Sequence, residues 1–522
     1  MSENVHIVRA DSCIFMQRQM NFDRRTCSQA RLTRDVRFDG RFFIGVRSTR
    51  IYCRTVCPVR AAKEENITYF PTAAAASEAG YRPCLRCRPE CSPGTPAWSG
   101  TSATVARALR LISESNVPDE GLEALAARLG IGARQLRRLF IQHLGATPSA
   151  VIKTRRLHFA KKLIDETTLP FSEIAFVSGF GSTRRFNIAF KKTYGRTPTQ
   201  IRKLARVKSL TSFSSLHSSG QYDFRLNFRP PFHWSALLEF LAKRAIPGVE
   251  AVKPNAYLRT IAFNGCSGTL RVAPEESGSA LRVQIAFPEA RWLFQIIERV
   301  RRMFDLTADP REIAAHLSGD PFLVERIKAL PGLRVPGCWD GFELAVRAIL
   351  GQQVSVAGAS TLAGRLVSEF GTKLVDSDPL THLFPKPERL AKADVGRIGI
   401  PSARAETIKT LARNVADGRI TLESVQDIGE FRSRLLEIRG LGDWTVQYIA
   451  MRALGDPDAF PSSDLGLMRA TSLRTARDIA RRAETWRPWR AYAAMYLWQS
   501  KSAEAKQTSF AQARKSRVAV AG

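Results

Sequence analysis

Seven of the nine cysteines in this 522-residue chain lie before residue 92, and four of them form two close pairs. Cys53-x3-Cys57 and Cys84-x2-Cys87 are separated by 26 residues. Two pairs on two tight turns can surround one ion tetrahedrally, and an all-sulfur donor set favours zinc. The odd count argues for reduced thiols rather than a disulfide framework. The first 30 residues carry Arg18, Arg24 and Arg25 and no uninterrupted apolar core, so no secretory leader is expected. Four structural or incidental thiols are the alternative to a metal site.

Charge narrows the choice of partner. Lys and Arg number 79 against 48 Asp and Glu, a net of +31. With 44% apolar and 24% charged residues the composition is globular. Such an excess attracts polyanions, nucleic acid first and an anionic membrane surface second. No run of 18 apolar residues occurs, so no membrane-spanning helix is expected. The length predicts three or four domains.

Residues 101–206 have a helical pattern, with 19 Lys and Arg against 7 Asp and Glu. They also repeat. Ala126-x3-Gly130 followed by Gly145-Ala146-Thr147-Pro148 returns 50 residues later as Ala175-x3-Gly179 followed by Gly195-Arg196-Thr197-Pro198. Helix, glycine turn, helix is helix-turn-helix grammar. The second helices are expected at 133–143 and 182–194. Arg134, Gln135, Arg137 and Arg138, then Thr183, Arg184, Arg185 and Asn187, suit phosphates and base edges. A solvated basic face on a plain helical bundle is the alternative. After a Ser-rich linker, Ser209 to Gly220, the period becomes two: Tyr222, Phe224, Leu226 and Phe228 alternate with polar residues, a strand. Residues 270–273 and 281–287 also look extended. The helical period then resumes from about Glu289 to Ser500.

Two patterns in this last stretch carry chemistry. Arg439-Gly440-Leu441-Gly442-Asp443-Trp444 sits between two apolar helical runs, as in a helix-hairpin-helix. Its tight turn bares backbone N–H groups to a phosphate. Twenty residues beyond Trp444 comes Asp464, which precedes an apolar run and suits an N-cap. A carboxylate at a helix N-terminus stays ionised and stabilises a sugar as it turns cationic.

Several segments resemble known families. Phe42-Phe43-Ile44-Gly45-Val46, Ile51-Tyr52-Cys53-Arg54, Cys57-Pro58-Val59-Arg60 and Arg82-Pro83-Cys84-Leu85-Arg86-Cys87 look like the N-terminal domain of the Ada methylation-response proteins. That resemblance implies zinc on Cys53, Cys57, Cys84 and Cys87, Cys53 as acceptor of a methyl group from a methyl phosphotriester, and Arg54 and Arg60 beside the DNA backbone. The family's Thr-Thr-Gly is Ser48-Thr49-Arg50 here. Residues 101–206 resemble the AraC-type DNA-binding domain. From Tyr222 to Trp498 the chain resembles the AlkA-type alkylated-base glycosylases, through Ala348–Ser355, Leu454–Pro461 and Trp486–Tyr492 as well as the hairpin.

The glycosylase resemblance implies Asp464 as the catalytic carboxylate, Trp444, Tyr448 and Trp498 as base-stacking aromatics, Gln352 and Gln353 as fillers of the gap left by a flipped nucleotide, and Gly440 and Gly442 against phosphate. Bifunctional relatives carry Lys where Trp444 stands, so a lyase step is not expected. No cysteine follows Cys338, so no iron–sulfur cluster is expected. Ser463 and Gln499 depart from the family pattern, while Trp486 and Trp489 are expected in the core. No Pro-Cys-His-Arg motif occurs, so O6-methylguanine reversal is not expected.

The expectation is a multidomain α+β protein: a zinc-binding module at 20–95, an all-α double helix-turn-helix domain at 100–206, a β-rich domain at 221–290, an all-α helix-hairpin-helix domain at 291–500 and a basic tail at 501–522. It is expected to be a zinc-dependent sensor and regulator fused to a monofunctional glycosylase for alkylated purines, with cysteine methyl-acceptor activity at its N-terminal end. Its expected partners are double-stranded DNA and RNA polymerase, without a membrane, as a cytoplasmic, nucleoid-associated monomer. A DNA-binding regulator with an inactive glycosylase portion is the alternative.

Overall fold

The structure, a computed structural model, describes residues 22–93, 103–114, 121–208, 220–276, 278–374, 378–422 and 428–499. Cys13, most of the Ser-rich linker and the basic tail lie outside them. The described residues pack as two compact units. The first runs to Pro230 and adds Ala262–Arg301 and Leu306–Ala308; the second holds Pro231–Ile261, Arg302–Asp305 and the chain from Asp309 onward.

The first unit opens with a helix, Arg24–Leu32, and a four-stranded sheet: β1 (Phe43–Val46), β2 (Ile51–Cys53), β3 (Ile67–Phe70) and β4 (Arg82–Pro83), in the order β3-β1-β2-β4. The helix seals the sheet through a core of Cys27, Ala30, Phe42, Ile44, Ile67 and Tyr69. β2 and β4 pair in parallel, with Tyr52 opposite Pro83. That pairing is what closes the 26-residue gap between the two Cys pairs.

The repeat seen in the sequence is a repeat in space. Helices Leu122–Arg128 and Ala133–Leu144 form one copy, and Phe171–Val177 and Thr183–Tyr194 the other. Each second helix ends on a left-handed glycine, Gly145 at φ +66° and Gly195 at φ +69°, where a side chain would be strained. Thr147 then caps the next helix by accepting from Ala150 N–H at 3.3 Å, with Pro148 in the first turn. That helix, Pro148–Glu166, has 19 residues and joins the two copies. The unit also contains β5 (Gln221–Asn227), which pairs antiparallel with a later strand, Ala280–Ala286, which in turn pairs with Cys266–Pro274.

β6 (Glu250–Lys253) and β7 (Ala256–Phe263) form a hairpin, whereas the strands Cys266–Pro274 and Ala280–Ala286, β8 and β9, belong to the first unit. Apart from one short strand pair, Thr372–Lys373 with His382–Leu383, the other described elements of the second unit are helical. Helices Gly341–Leu350, Ser402–Ala416 and Asp443–Arg452 carry or brace the groups described below. Trp486 and Trp489 lie in the core as expected, and Trp486 donates to the Asp320 carboxylate at 2.7 Å. Among the described residues no helix is long and apolar enough to cross a membrane.

Candidate metal centre and candidate active site

Cys53 ends β2, and the Cys84 N–H donates to the Tyr52 carbonyl at 2.9 Å. The turns Arg54–Cys57 and Cys84–Arg88 bring round the second member of each pair. The four sulfurs lie within 4.8 Å of one another. Tetrahedral zinc, with sulfurs about 2.3 Å from the ion, sets them about 3.8 Å apart, so the group fits. Cys84 and Cys87 are buried, whereas Cys53 and Cys57 are partly exposed. A reagent from solvent therefore meets only the first pair. Burial pushes the Cys27 thiol up to about 12, so that cysteine stays protonated in the core.

Arg54 departs from expectation. It is buried, ion-paired to Asp39, and donates to the Cys87 carbonyl at 3.0 Å, while its own N–H points at the Cys87 sulfur. It braces the thiolate loop, with its guanidinium turned into the fold and not toward solvent. Removing one partner of such a buried pair strands the other, so Arg54→Ala is expected to cost about 3–5 kcal/mol in urea unfolding of the full chain. Arg60 is exposed. Arg50 sits at φ +54°, the conformation glycine favours. Its guanidinium lies 4.5 Å over the Tyr81 ring and donates to the Ala79 carbonyl. Those contacts offset the strain. By thermal unfolding, Arg50→Ala is expected to be more destabilising than Arg50→Gly by about 1 kcal/mol, because only glycine relieves the backbone.

The cluster is joined to the long helix Pro148–Glu166 by the residues beside its ligands. The Tyr52 hydroxyl lies 2.9 Å from His158 Nε2. Arg88 pairs with Asp165 at 2.8 Å and with Glu166 at 3.2 Å. Lys161 bridges Glu90 and Asp165, and Lys162 pairs with Glu166. Burial pushes His158 down to about 4, so it is neutral. Burial raises the Glu90 carboxyl, but Lys161 and Arg88 outweigh it and hold the group at about 2, against an ordinary 4.5. A depressed carboxylate stabilises the fold above its unfolded value, and that stabilisation fades as pH falls through the folded one. Amide protection in residues 156–164 is therefore expected to weaken between pH 4.5 and about 2, and Glu90→Gln to flatten that dependence.

On the second helix of each copy, Arg134, Arg137, Arg138, Arg184, Arg185 and Asn187 are exposed, and Gln135 and Thr183 are half-buried. The second candidate site is built on helix Asp443–Arg452 and the turn before it. Gly440 has φ +96°, and a Cβ there would lie 2.2 Å from Thr407 Oγ1. Gly442 is the N-cap, with no side chain closing the helix end and open space around it. Backbone N–H groups are thus left for a phosphate.

One helical turn places Trp444 and Tyr448 on one face, their rings parallel within 7° at 5.4 Å. Asp464 caps helix Leu465–Thr471. Its Oδ1 accepts from Leu467 N–H at 2.9 Å and from Trp498 Nε1 at 3.0 Å, and its Oδ2 accepts from Trp444 Nε1 at 2.8 Å. Three residues 54 positions apart in sequence therefore meet at one carboxylate.

Sequence reasoning missed two supports of this site. A Cβ on Gly466 would meet Asp464 Oδ1 at 2.8 Å and Trp498 at 3.4 Å, so only glycine fits. Arg452, one turn beyond Tyr448, donates to its hydroxyl at 2.6 Å. Burial raises the Tyr448 phenol, but Arg452 and Arg244 outweigh it and bring it below its ordinary range. The Tyr448-x3-Arg452 spacing was the available signal. Gln352 also departs from expectation: its side chain is bonded to the hairpin, while Gln353 is exposed. Gln499 is buried, and Ser463 is exposed beside Asp464.

Comparison with known proteins agrees along the chain. Residues 26–90 match the metal binding domain of Ada, 125–204 a helix-turn-helix domain, 223–340 the AlkA N-terminal domain, and 346–487 the HhH-GPD superfamily of base excision DNA repair proteins. DNA-3-methyladenine glycosylase 2 of Escherichia coli is 34% identical over 279 residues, 53% of this chain and 96% of that protein. The solved 3-methyladenine DNA-glycosylase of Archaeoglobus fulgidus superposes with a TM-score of 0.48 at 24% identity, covering 53% of this chain and 97% of that one. A probable bifunctional transcriptional activator/DNA repair enzyme AlkA of Mycobacterium tuberculosis is 42% identical over 487 residues, 92% of this chain and 97% of the relative. An Ada-type zinc module, a helix-turn-helix region and an AlkA-type glycosylase fold follow one another in a single chain, which belongs to the family of bifunctional AlkA-type activator/repair proteins.

Proposed function

We propose that the chain hydrolyses the N-glycosidic bond of alkylated purines in DNA and that its N-terminal region senses the same damage and regulates transcription. The parts divide as the sequence suggests, at 20–95, 100–206, 221–290 and 291–500. The observation that carries the repair activity is the Asp464 carboxylate framed by two indoles. A flipped purine stacks on the Trp444 and Tyr448 faces, where a positively charged methylated base gains cation–π attraction. As the bond to the base lengthens, positive charge grows on the sugar. Asp464 stabilises it, and water completes the displacement, leaving an abasic site. With Trp444 where a lyase would hold lysine, the strand stays intact.

In the zinc module Cys53 is the acceptor. Its sulfur attacks the methyl carbon of a methyl phosphotriester; the C–S bond forms as the C–O bond breaks, and a phosphodiester anion departs. Zinc, when bound, keeps the four sulfurs as thiolates at neutral pH. Alkylation removes one negative charge beside the DNA backbone, which strengthens binding. The partial exposure of Cys53 supports this role, since Cys84 and Cys87 are buried.

The test of the repair reading is incubation of the full chain with a methylated duplex, scoring abasic sites and strand breaks separately. Abasic sites without breaks are expected, and no abasic sites would refute it. For the sensor, mass spectrometry after exposure to DNA carrying methyl phosphotriesters is expected to find the added methyl on Cys53. An unmodified cluster would leave a structural metal only.

A further inference from the structure

We infer that Gln352 does not fill the DNA gap but is a positioning residue, a strut that couples the phosphate-gripping hairpin to the loop that enters the base stack, with Gln353 as the inserting side chain. This rests on the glycosylase reading above. The Gln352 side-chain amide donates to the Gly440 carbonyl at 3.0 Å and to Thr445 Oγ1 at 3.0 Å. Those acceptors span the hairpin, one in the turn itself and one in the first turn of helix Asp443–Arg452. The Gln352 backbone is held as well. Its N–H reaches the Ile349 carbonyl at 3.2 Å, and its carbonyl accepts from Arg404 Nη2 at 2.7 Å.

Helix Ser402–Ala416 braces both partners. It sends Arg404 to the loop, and Thr407 donates to the Arg439 carbonyl at 3.0 Å and forms the wall that only Gly440 can approach. With Gln352 pinned at side chain, nitrogen and oxygen, the next residue takes up the turn. Gln353 sits at φ +58°, a left-handed conformation costing a glutamine about 1–3 kcal/mol. The side chain so displayed is exposed, flanked by Val354 and Val356, which are 39% and 43% exposed. A strained polar tip with apolar shoulders, fastened to a turn that binds phosphate, suits insertion into a stack from which a nucleotide has left. Grip and insertion then occur as one movement, because the two loops share the Gln352 amide.

The experiment uses a duplex with one 7-methylguanine and 2-aminopurine as its 3′ neighbour, whose fluorescence rises when its stacking partner leaves the helix. Gln352→Ala and Gln352→Glu, the latter equal in size but without the donors, are compared with Gln353→Ala and the wild type in the full chain. Expected are a fluorescence rise and a single-turnover rate at least tenfold lower in both Gln352 variants. Affinity for an undamaged duplex should stay within threefold of wild type, and thermal unfolding should be unshifted. Gln353→Ala should lose the fluorescence rise in the same way. Wild-type fluorescence in Gln352→Glu would overturn the strut, as would a loss of affinity for undamaged duplex that accounts for the whole rate effect. A wild-type chain that neither everts nor excises the base would instead overturn the glycosylase reading and take this proposal with it.

Discussion

Asp464→Asn is expected to lower single-turnover excision of 7-methylguanine by about a thousandfold, the scale on which one preorganised electrostatic group acts. The substitution is conservative where the fold is concerned. Asparagine caps helices about as well as aspartate, so its remaining oxygen can keep the bonds from Leu467 and Trp498. The amide nitrogen then faces the Trp444 indole N–H and forfeits that bond, a loss of about 1 kcal/mol. What disappears entirely is the negative charge. Substrate binding, which depends on the aromatic faces and on phosphate contacts, should change little. The signature is therefore a collapse of rate at nearly constant affinity, measured by abasic-site formation with enzyme in excess. A variant within tenfold of wild type would mean that the carboxylate serves the helix and not the reaction.

The second large effect concerns the thiolate cluster. Cys84→Ala is expected to abolish metal binding and unfold the zinc module while the second unit stays folded. Structural zinc contributes about 10–16 kcal/mol to small domains of this kind, as much as the whole net stability of an ordinary domain. Thiol labelling reports the outcome. Cys27 and Cys91 are buried in the first unit, and Cys338, partly exposed, lies in the second. In the variant Cys27 and Cys91 should react within minutes, with Cys338 labelled at its wild-type rate and metal absent by atomic absorption. Retained metal or a protected Cys27 would refute the dependence.

What was legible in the sequence was whatever is written locally. The helix-turn-helix copies announce themselves through Gly145 and Gly195, which end helices by the same backbone rule, and through Thr147-Pro148 and Thr197-Pro198, which start them. β5 alternates because one of its faces is covered. β7 gave no such signal: its burial does not alternate, and at an inward position it carries Arg259, paired with Glu343 at 2.7 Å. A charged residue inside a strand looks like a surface residue until its partner, 84 positions away, is known. Arg54 misled for the same reason, because an arginine beside a metal loop in a DNA-binding chain looks like a phosphate ligand until Asp39 is seen against it. Asp464 and Trp444 were recognisable by spacing. Gly466 was not, since its necessity comes from the Asp464 oxygen 2.8 Å from where a Cβ would stand, an oxygen held there by the Trp498 indole from a distant part of the chain.

The clasp between the thiolate loop and the long helix has a mechanical consequence. Tyr52 and Arg88 are chain neighbours of Cys53 and Cys87, and they hold the helix at His158 and again at Asp165–Glu166. Two anchor points about 10 Å apart along an axis restrain its rotation as well as its position. Helix Ala133–Leu144 leads into one end of this shaft and the second copy follows the other. The angular phasing of the two copies is therefore mounted on the loops that carry the sulfur ligands, and loosening those loops frees a bearing as well as a metal site.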